Sequence, residues 1–380
     1  MRVINTERIP IKLWLDNIEE GALAQARDLA NLPFPYKWIS IMPDCHEGYG
    51  MPIGGVMAAE DMIVPNAVGV DIGCGMMALR TNAQGIEVDI IKSIMGGIRK
   101  VVPVGFSHHR DVQKWDGFDR APNIPIIQEQ LLAAQKQLGT LGGGNHFIEI
   151  QKGDDGFIWI MLHSGSRNFG LRVAEDYHKK AVQACERWYS NISTKDLSFL
   201  PFESLHGKEY FEAMIYCVEF ALANRTLMMD RIKDVLNDNG ISFGSNSINI
   251  PHNYASIEEH YGKEVIVHRK GATKATKGLI GIIPGSMGTS SYIVQGLGNP
   301  ESFMSCSHGA GRAMGRGQAK RELNLADEQK KMDGIIHGLR TERELDEAPG
   351  AYKDIDVVMD NQKDLVEIVT KLTPLGVIKG

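Results

Sequence analysis

Six residues of kinds that bind metals or attack phosphorus sit in glycine-rich or small-residue segments of this chain. Asp71 and Cys74 lie in VGVDIGCGMM, His146 in LGGGNHFIE, His163 in MLHSGSRNFG, His252 in PHNYA and His308 in CSHGAGR. Glycine beside such a residue lets the backbone turn sharply and approach an ion or a phosphate. One such segment says little, because a lone Cys is usually a small hydrophobe and a lone His a satisfied core or surface residue. Five of them, spread over more than half the chain, imply loops that converge on one metal and phosphate site.

The chemistry of the set is specific. Asp71 and Cys74 hold a carboxylate and a thiol three residues apart across a glycine. A thiolate binds divalent metals strongly and can bridge two of them, while a carboxylate suits a harder ion. His146 opens the β-type run HFIEIQ, His163 closes WIML, and His252 follows SINIP, so all three take strand-end positions. Three imidazoles, one thiolate and one carboxylate are enough for two ions. His308 can serve as ligand, general base or phosphorus nucleophile, and residue type alone leaves these open. The loops His163–Arg167 and Ile283–Gly288 offer amides, hydroxyls and a guanidinium to an anion. No GxxxxGK[ST] segment is present, which disfavours a Walker-type NTPase.

Short strands and uneven helices must position these groups. Helical periodicity covers residues 14–30, 171–189 and 207–237, with further helices expected near 126–138, 318–332 and 360–371. Between them lie β-type runs such as WISIM, MMALRT, FIWIML and SYIVQG, most followed by glycine-rich turns. Strands broken by helical insertions suggest a mixed α+β or layered α/β enzyme, and of these an α+β fold with mixed β-sheets surrounded by helices and a metal site on strand-end loops is expected. A length of 380 residues would allow two or three domains. The candidate ligands nevertheless run straight through any boundary, so 1–380 is expected to be a single catalytic domain with a mainly helical insertion around 171–240.

A net charge of −6 argues against a general basic coat for nucleic acid, so such a partner would need a local basic groove. Arg167, Arg172, His268–Lys270 with Lys274 and Lys277, and Arg312, Arg316, Lys320 and Arg321 are candidates, although solvated surface is the ordinary reading of such clusters. The N-terminus is too charged for a secretory signal. The longest uncharged stretch, Gly278–Pro300, is broken by glycine, proline and serine and does not suit a membrane span. Five scattered cysteines read as reduced thiols, and a cytoplasmic location is expected.

In order, MPDCHEGYGMPIGGV, VGVDIGCGM, LGTLGGGNHFIEI, HSGSRNFG, PHNYA, HRKGAT, IPGSMG, SHGAGR and the closing VIKG resemble the RtcB family of RNA-splicing ligases from about residue 40 onward. LGGGNHF together with SHGAGR is the most specific pair. The resemblance implies an enzyme that joins an RNA 3′-phosphate or 2′,3′-cyclic phosphate end to a 5′-hydroxyl end, using GTP and two Mn²⁺ ions. It implies that Cys74 bridges the ions, with Asp71 and His146 on one and His163 and His252 on the other. His308 would attack the α-phosphorus of GTP. Glu149 would meet the guanine edge, with Asn145 and Phe147 nearby, Tyr352 stacked on the base and Lys379 beside it. Asn253, Pro284, Gly285, Ser286, Gly309, Ala310 and Gly311 would complete the nucleotide pocket, and Arg167 would contact the RNA terminal phosphate.

The resemblance also implies RNA as partner, no membrane, an accessory activator protein and a monomeric enzyme. Three departures stand out: Gly315-Arg316 replaces a usual Ser-Arg, Cys45 replaces a small or branched apolar residue, and the chain is somewhat shorter. The competing reading is a metal-dependent RNA-end phosphodiesterase or phosphatase with His308 as base or ligand, which would have no need of Glu149, Tyr352 or Lys379. A non-catalytic RNA-end binder would gain little from a reactive thiolate.

Overall fold

The computed structural model describes residues 1–380 and contains two large sheets. The first has the spatial order Arg2–Ile4, Ile11–Leu13, Pro35–His46, Ile53–Ala59, Lys263–Lys270 and Asn253–His260. The second runs Phe243–Pro251, Gly75–Thr81, Ile158–Ser164, Phe147–Gly153, Val366–Lys379, Ser291–Gly296 and Ile280–Ile283, with every neighbouring pair antiparallel.

The second sheet is covered on both faces, which explains the unbroken apolar run IWIML in its inner strand Ile158–Ser164. Alternation then assigns Met77, Leu79, Ile148 and Ile160 to one face, against Ile94, Ile98, Met228 and Ile232 of two helices. Met76, Ala78, Phe147 and Met161 go to the other, against Ile282, Ile293 and Leu372.

Helix Leu205–Asp238 is the main support of that sheet. Its 34 residues span about 50 Å at 1.5 Å per residue. Ser204 caps it by accepting the Gly207 N–H. Tyr210, Met214, Cys217, Phe220, Asn224 and Met228 recur at three- and four-residue spacing on its buried side. Helix Arg167–Arg187 buries Phe169, Val173, Tyr177 and Ala181 in the same way. Both lie in sequence between the strands Ile158–Ser164 and Phe243–Pro251, which flank Gly75–Thr81.

The α+β class and most expected elements are present, with four differences. The first helix starts only at Glu20, because Ile11–Leu13 pairs into the first sheet. Residues 318–332 form two short helices, Arg316–Glu322 and Leu325–Lys330. Residues 360–371 are not a helix: Ile355–Asp360 ends one, and Val366 begins a 14-residue strand paired on both sides. Helix Val88–Val101 was masked in the sequence by Gly96 and Gly97; a Cβ on Gly97 would run into the Val235 side chain, so the glycine permits close packing of two helices. No helix is long and apolar enough to cross a membrane.

Candidate active site

Antiparallel register gathers the candidate ligands at one edge of the second sheet. Gly75 faces both Pro251 and Ser164, His163 faces Met76 and Phe147, and Phe147 faces Lys379. Two strands therefore start, and three end, along the same line. Cys74 and His146 sit one residue before a strand, and His252 one residue after. Gly75 has no room for a side chain, since a Cβ would meet the Ile250 carbonyl.

The donor atoms converge. Cys74 Sγ lies 3.5 Å from His146 Nε2 and 3.2 Å from His163 Nε2, and His163 Nε2 lies 3.3 Å from His252 Nε2. Asp71 Oδ2 is 3.1 Å from His146 Nε2. Two triads result, Asp71–Cys74–His146 and Cys74–His163–His252, which share the thiol. Ligands about 2.1 Å from a tetrahedral ion stand about 3.4 Å apart, so the spacings fit divalent cations.

Burial and mutual charge set the protonation of these groups in the metal-free protein. Burial, with the nearby charge of Asp71, pushes the Cys74 thiol well above its usual range. Burial holds His163 and His252 well below theirs, so both are neutral lone-pair donors near neutrality. Burial alone would raise Asp71, but the hydrogen bond and charge of His146 hold it below the ordinary carboxylate range. His163 is fixed by its Nδ1, which donates to the Asn145 carbonyl at 3.1 Å and leaves Nε2 facing the other ligands.

Two residues missed in the sequence hold this edge together. Arg225 is fully buried and donates to the carbonyls of Gly73 and Ser164, both at 2.8 Å, and to Asn249 Oδ1 at 2.7 Å. It thus ties the segments that carry Cys74, His163 and His252. Asn224 beside it donates to the carbonyls of Thr140 and Gly165, each at 3.1 Å, and accepts from the Gly139 and Thr140 amides. The available signal was a polar pair on the apolar stripe of a long helix.

His308 follows the short strand Ser305–Ser307, and its ring centroid is 4.6 Å from that of His252. Its partner is Asp44, at the end of Pro35–His46 in the first sheet and also missed. Asp44 Oδ2 accepts from His308 Nδ1 at 2.7 Å and from the amides of His308 and Gly309 at 3.0 and 3.3 Å. Burial alone would raise Asp44, yet its hydrogen bond with His308 and the nearby cations hold it below the usual range. Donation from Nδ1 leaves Nε2 as the free nitrogen.

One cavity of about 950 Å³ joins these parts. Its wall includes Asp71, Cys74, His163, His252 and His308, and also Asn145, Phe147, Glu149, Asn253, Pro284, Gly285, Ser286, Gly309, Ala310, Gly311, Tyr352 and Lys379. His46 is on the wall as well, its imidazole pushed down to about 4 by burial. His146 and Arg167 are not. His146 stands behind Cys74, and Arg167 donates to Thr140 Oγ1 at 3.1 Å and to the Gly105 carbonyl at 3.2 Å. Gly142, at φ 97°, passes so close to both that a Cβ would strike them. The expected anion nest at Ile283–Gly288 is partly used up, since the Gly285 and Ser286 amides already donate to Ser291 Oγ and Thr289 Oγ1.

At the far end of the cavity Glu149 is buried beside Gln151, whose Nε2 donates to it at 2.6 Å. Burial raises Glu149 to about 8 despite Lys379 and that hydrogen bond. A neighbouring carboxylate, Glu347, collects Lys379 Nζ at 2.8 Å, Tyr352 Oη at 2.5 Å, Arg316 Nη1 at 2.5 Å and Arg312 Nη1 at 3.3 Å. Burial would raise it, but Lys379 and Arg316 bring it down to about 2. Lys270 also faces the cavity; its ammonium donates to the Tyr49 and Met51 carbonyls and burial lowers it to about 7.

A family model described as tRNA-splicing ligase RtcB matches residues 25–380. The RNA-splicing ligase RtcB of Escherichia coli (strain K12) is 37% identical over 405 residues, covering 100% of this chain and 99% of that protein. The tRNA-splicing ligases RtcB of Pyrobaculum aerophilum and Thermococcus kodakarensis are 31% and 32% identical, each covering 98% of this chain and 95% of its own length.

Proposed function

The chain belongs to the RtcB family of tRNA-splicing ligases, and from that premise we propose that it joins RNA 3′-phosphate or 2′,3′-cyclic phosphate ends to 5′-hydroxyl ends through a histidine–GMP intermediate. The observation that carries this reading is a single cavity on whose wall the shared thiol Cys74, with Asp71, His163 and His252, meets His308 and a buried carboxylate suited to a purine edge.

Two Mn²⁺ ions, one on Asp71, Cys74 and His146 and one on Cys74, His163 and His252, would neutralise phosphate charge as Lewis acids. The chain's own residues do the rest. Asp44 accepts a hydrogen bond from His308 Nδ1–H, which fixes the tautomer and leaves Nε2 free to face the cavity. Nε2 attacks the α-phosphorus of GTP, an N–P bond forms, and pyrophosphate leaves. The GMP then passes to the RNA 3′-phosphate, and the incoming 5′-hydroxyl displaces it as a phosphodiester forms; a cyclic phosphate is first opened by hydrolysis at the same site. Glu149 accepts from the guanine edge, Tyr352 stacks on the base, and Asn145, Asn253, Pro284–Ser286 and Gly309–Gly311 line the nucleotide. Arg167 holds the terminal phosphate, from a left-handed backbone (φ 61°) sustained by its contacts. We read 1–380 as one catalytic domain acting as a monomer in the cytoplasm.

Incubation with α-labelled GTP and Mn²⁺ tests the reading. Acid-labile label on the wild type and none on His308→Ala supports it. A folded, metal-loaded protein without label points instead to an RNA-end phosphodiesterase or phosphatase.

A further inference from the structure

Phe106 is the most exposed large apolar side chain of the protein, at 105% of its reference accessibility. It stands at the tip of the loop that follows helix Val88–Val101, and no other aromatic ring packs on it. The loop is nonetheless firmly seated. The Gly105 amide donates to the Gly142 carbonyl at 2.9 Å, and the Leu141 amide donates to the Pro103 carbonyl at 2.9 Å. Arg167 donates to the Gly105 carbonyl. Phe106 is therefore one residue from a carbonyl held by the guanidinium beside the metal triads, and the Gly105 backbone before it lies against the exposed Gly143 on the segment that leads to His146.

The surroundings are positive in an otherwise acidic protein. From Arg99 to Lys114 the chain carries Arg99, Lys100, Arg110 and Lys114 against Asp111 alone, while the whole chain has a net charge of −6. All four cations are exposed and none meets a carboxylate, whereas the nearby Lys92 and Arg120 are paired with Asp89 and Glu219. A solvated aromatic ring on a fixed loop, flanked by unpaired cations, is how proteins hold single-stranded nucleic acid: the ring stacks on a base and the cations follow the phosphates.

Resting on the ligase reading above, we propose that Arg99–Lys114 is the docking strip for the RNA strand whose 3′-phosphate enters the metal pocket, with Phe106 as its stacking platform. The strand would leave the pocket past Arg167 and Gly143, on the Asp71–Cys74–His146 side, away from the end that holds Glu149.

The test is binding of a short, fluorescently labelled single-stranded RNA with a 3′-phosphate to the metal-loaded protein, alongside GMP labelling without RNA. Phe106→Ala, a fully exposed change that leaves the core intact, should loosen RNA about tenfold. Phe106→Trp should restore binding and Phe106→Leu should not. Changing Arg99, Lys100, Arg110 and Lys114 to Ala together should flatten the salt dependence, by about 0.7 in the logarithmic slope per lost phosphate contact. Unchanged affinity in Phe106→Ala, or full binding in Phe106→Leu, overturns the stacking platform. A change of oligomeric state at constant RNA affinity overturns it in favour of a protein interface. If the wild type takes no GMP label but the variants still lose RNA, the ligase reading fails and the docking strip stands.

Discussion

Replacing Asp44 by Asn tests the step on which the proposed chemistry turns. Asp44 is fully buried, and three donors meet on its Oδ2: the His308 ring and the amides of His308 and Gly309. Its other oxygen, Oδ1, is buried without a hydrogen-bond partner. An Asn side chain has two ways to sit. With its carbonyl toward His308 it keeps the bonds but loses the charge, and its amide group becomes an unsatisfied buried donor where Oδ1 was, at a cost of about 1–3 kcal/mol. Turned the other way, the amide faces three donors. Charge-assisted bonds are roughly twice as strong as neutral ones, so the imidazole bond alone loses about 1 kcal/mol. Only the lost charge assistance, about 1 kcal/mol, enters the barrier, which is about fivefold in the rate at which His308 takes GMP, while the stranded amide lowers stability.

The assay is single-turnover labelling with α-labelled GTP, following the rate rather than the endpoint. Asp44 is held below the usual carboxylate range, so its contribution exists above the unfolded carboxylate pKa and is lost only as pH falls through the lower folded value. The wild-type to variant ratio should therefore stay constant across neutral pH. Labelling of Asp44→Asn on His308 within about twofold of the wild type would refute the claim that Asp44 sets the ring and its tautomer.

Cys74→Ala removes the one ligand shared by both triads, so both ions and all GMP labelling should be lost; metal content at the wild-type stoichiometry, with activity, would sink the bridge. In the wild type the Cys74 proton must leave when a cation binds, so metal affinity should rise with pH, measured by titration against a competing chelator. Glu149, raised to about 8, is protonated in the empty pocket and must ionise to accept from guanine. GTP binding should release a proton, and affinity should increase up to about pH 8, as calorimetry in two buffers would show; Glu149→Gln should abolish the dependence. The same shift means that the free protein loses stability as pH rises from the unfolded carboxylate value through about 8. Arg225→Met strands the Gly73 and Ser164 carbonyls, which should lower stability by about 2–4 kcal/mol and metal affinity about tenfold; wild-type melting and metal titration would overturn its role.

The candidate ligands that the structure brings together were legible in the sequence because strand-end positions leave a local mark: a β-type run, a glycine turn and a histidine or cysteine at the junction. It hid what holds that set in place. Asn224 and Arg225 are ordinary polar residues of a long helix until Cys217, Phe220, Ala221 and Met228 show that they point inward. Asp44 is one more polar residue at the end of a strand, and only the return of the chain at His308 marks it out. The last strand misled for a related reason. Glu367 and Lys371 stand at helical i,i+4 spacing, yet pairing with Ser291–Gly296 on one side and Phe147–Gly153 on the other decides the outcome.

That misread strand matters to the site. Val366–Lys379 completes the row of strand ends by bringing Lys379 opposite Phe147, which in turn faces His163. Side chains alternate along a strand, so a one-residue slip of Val366–Lys379 would turn Lys379 away from Glu347 and off the cavity wall. The Glu149 end and the end with the two candidate metal triads are thus held in register by the same ladder. Glu347 locks it from outside by gripping Lys379, Arg316 and Tyr352 at once. On the proposed reading, nucleotide selection and metal binding would be two ends of one sheet edge, and a change that shifts the register should disturb both together.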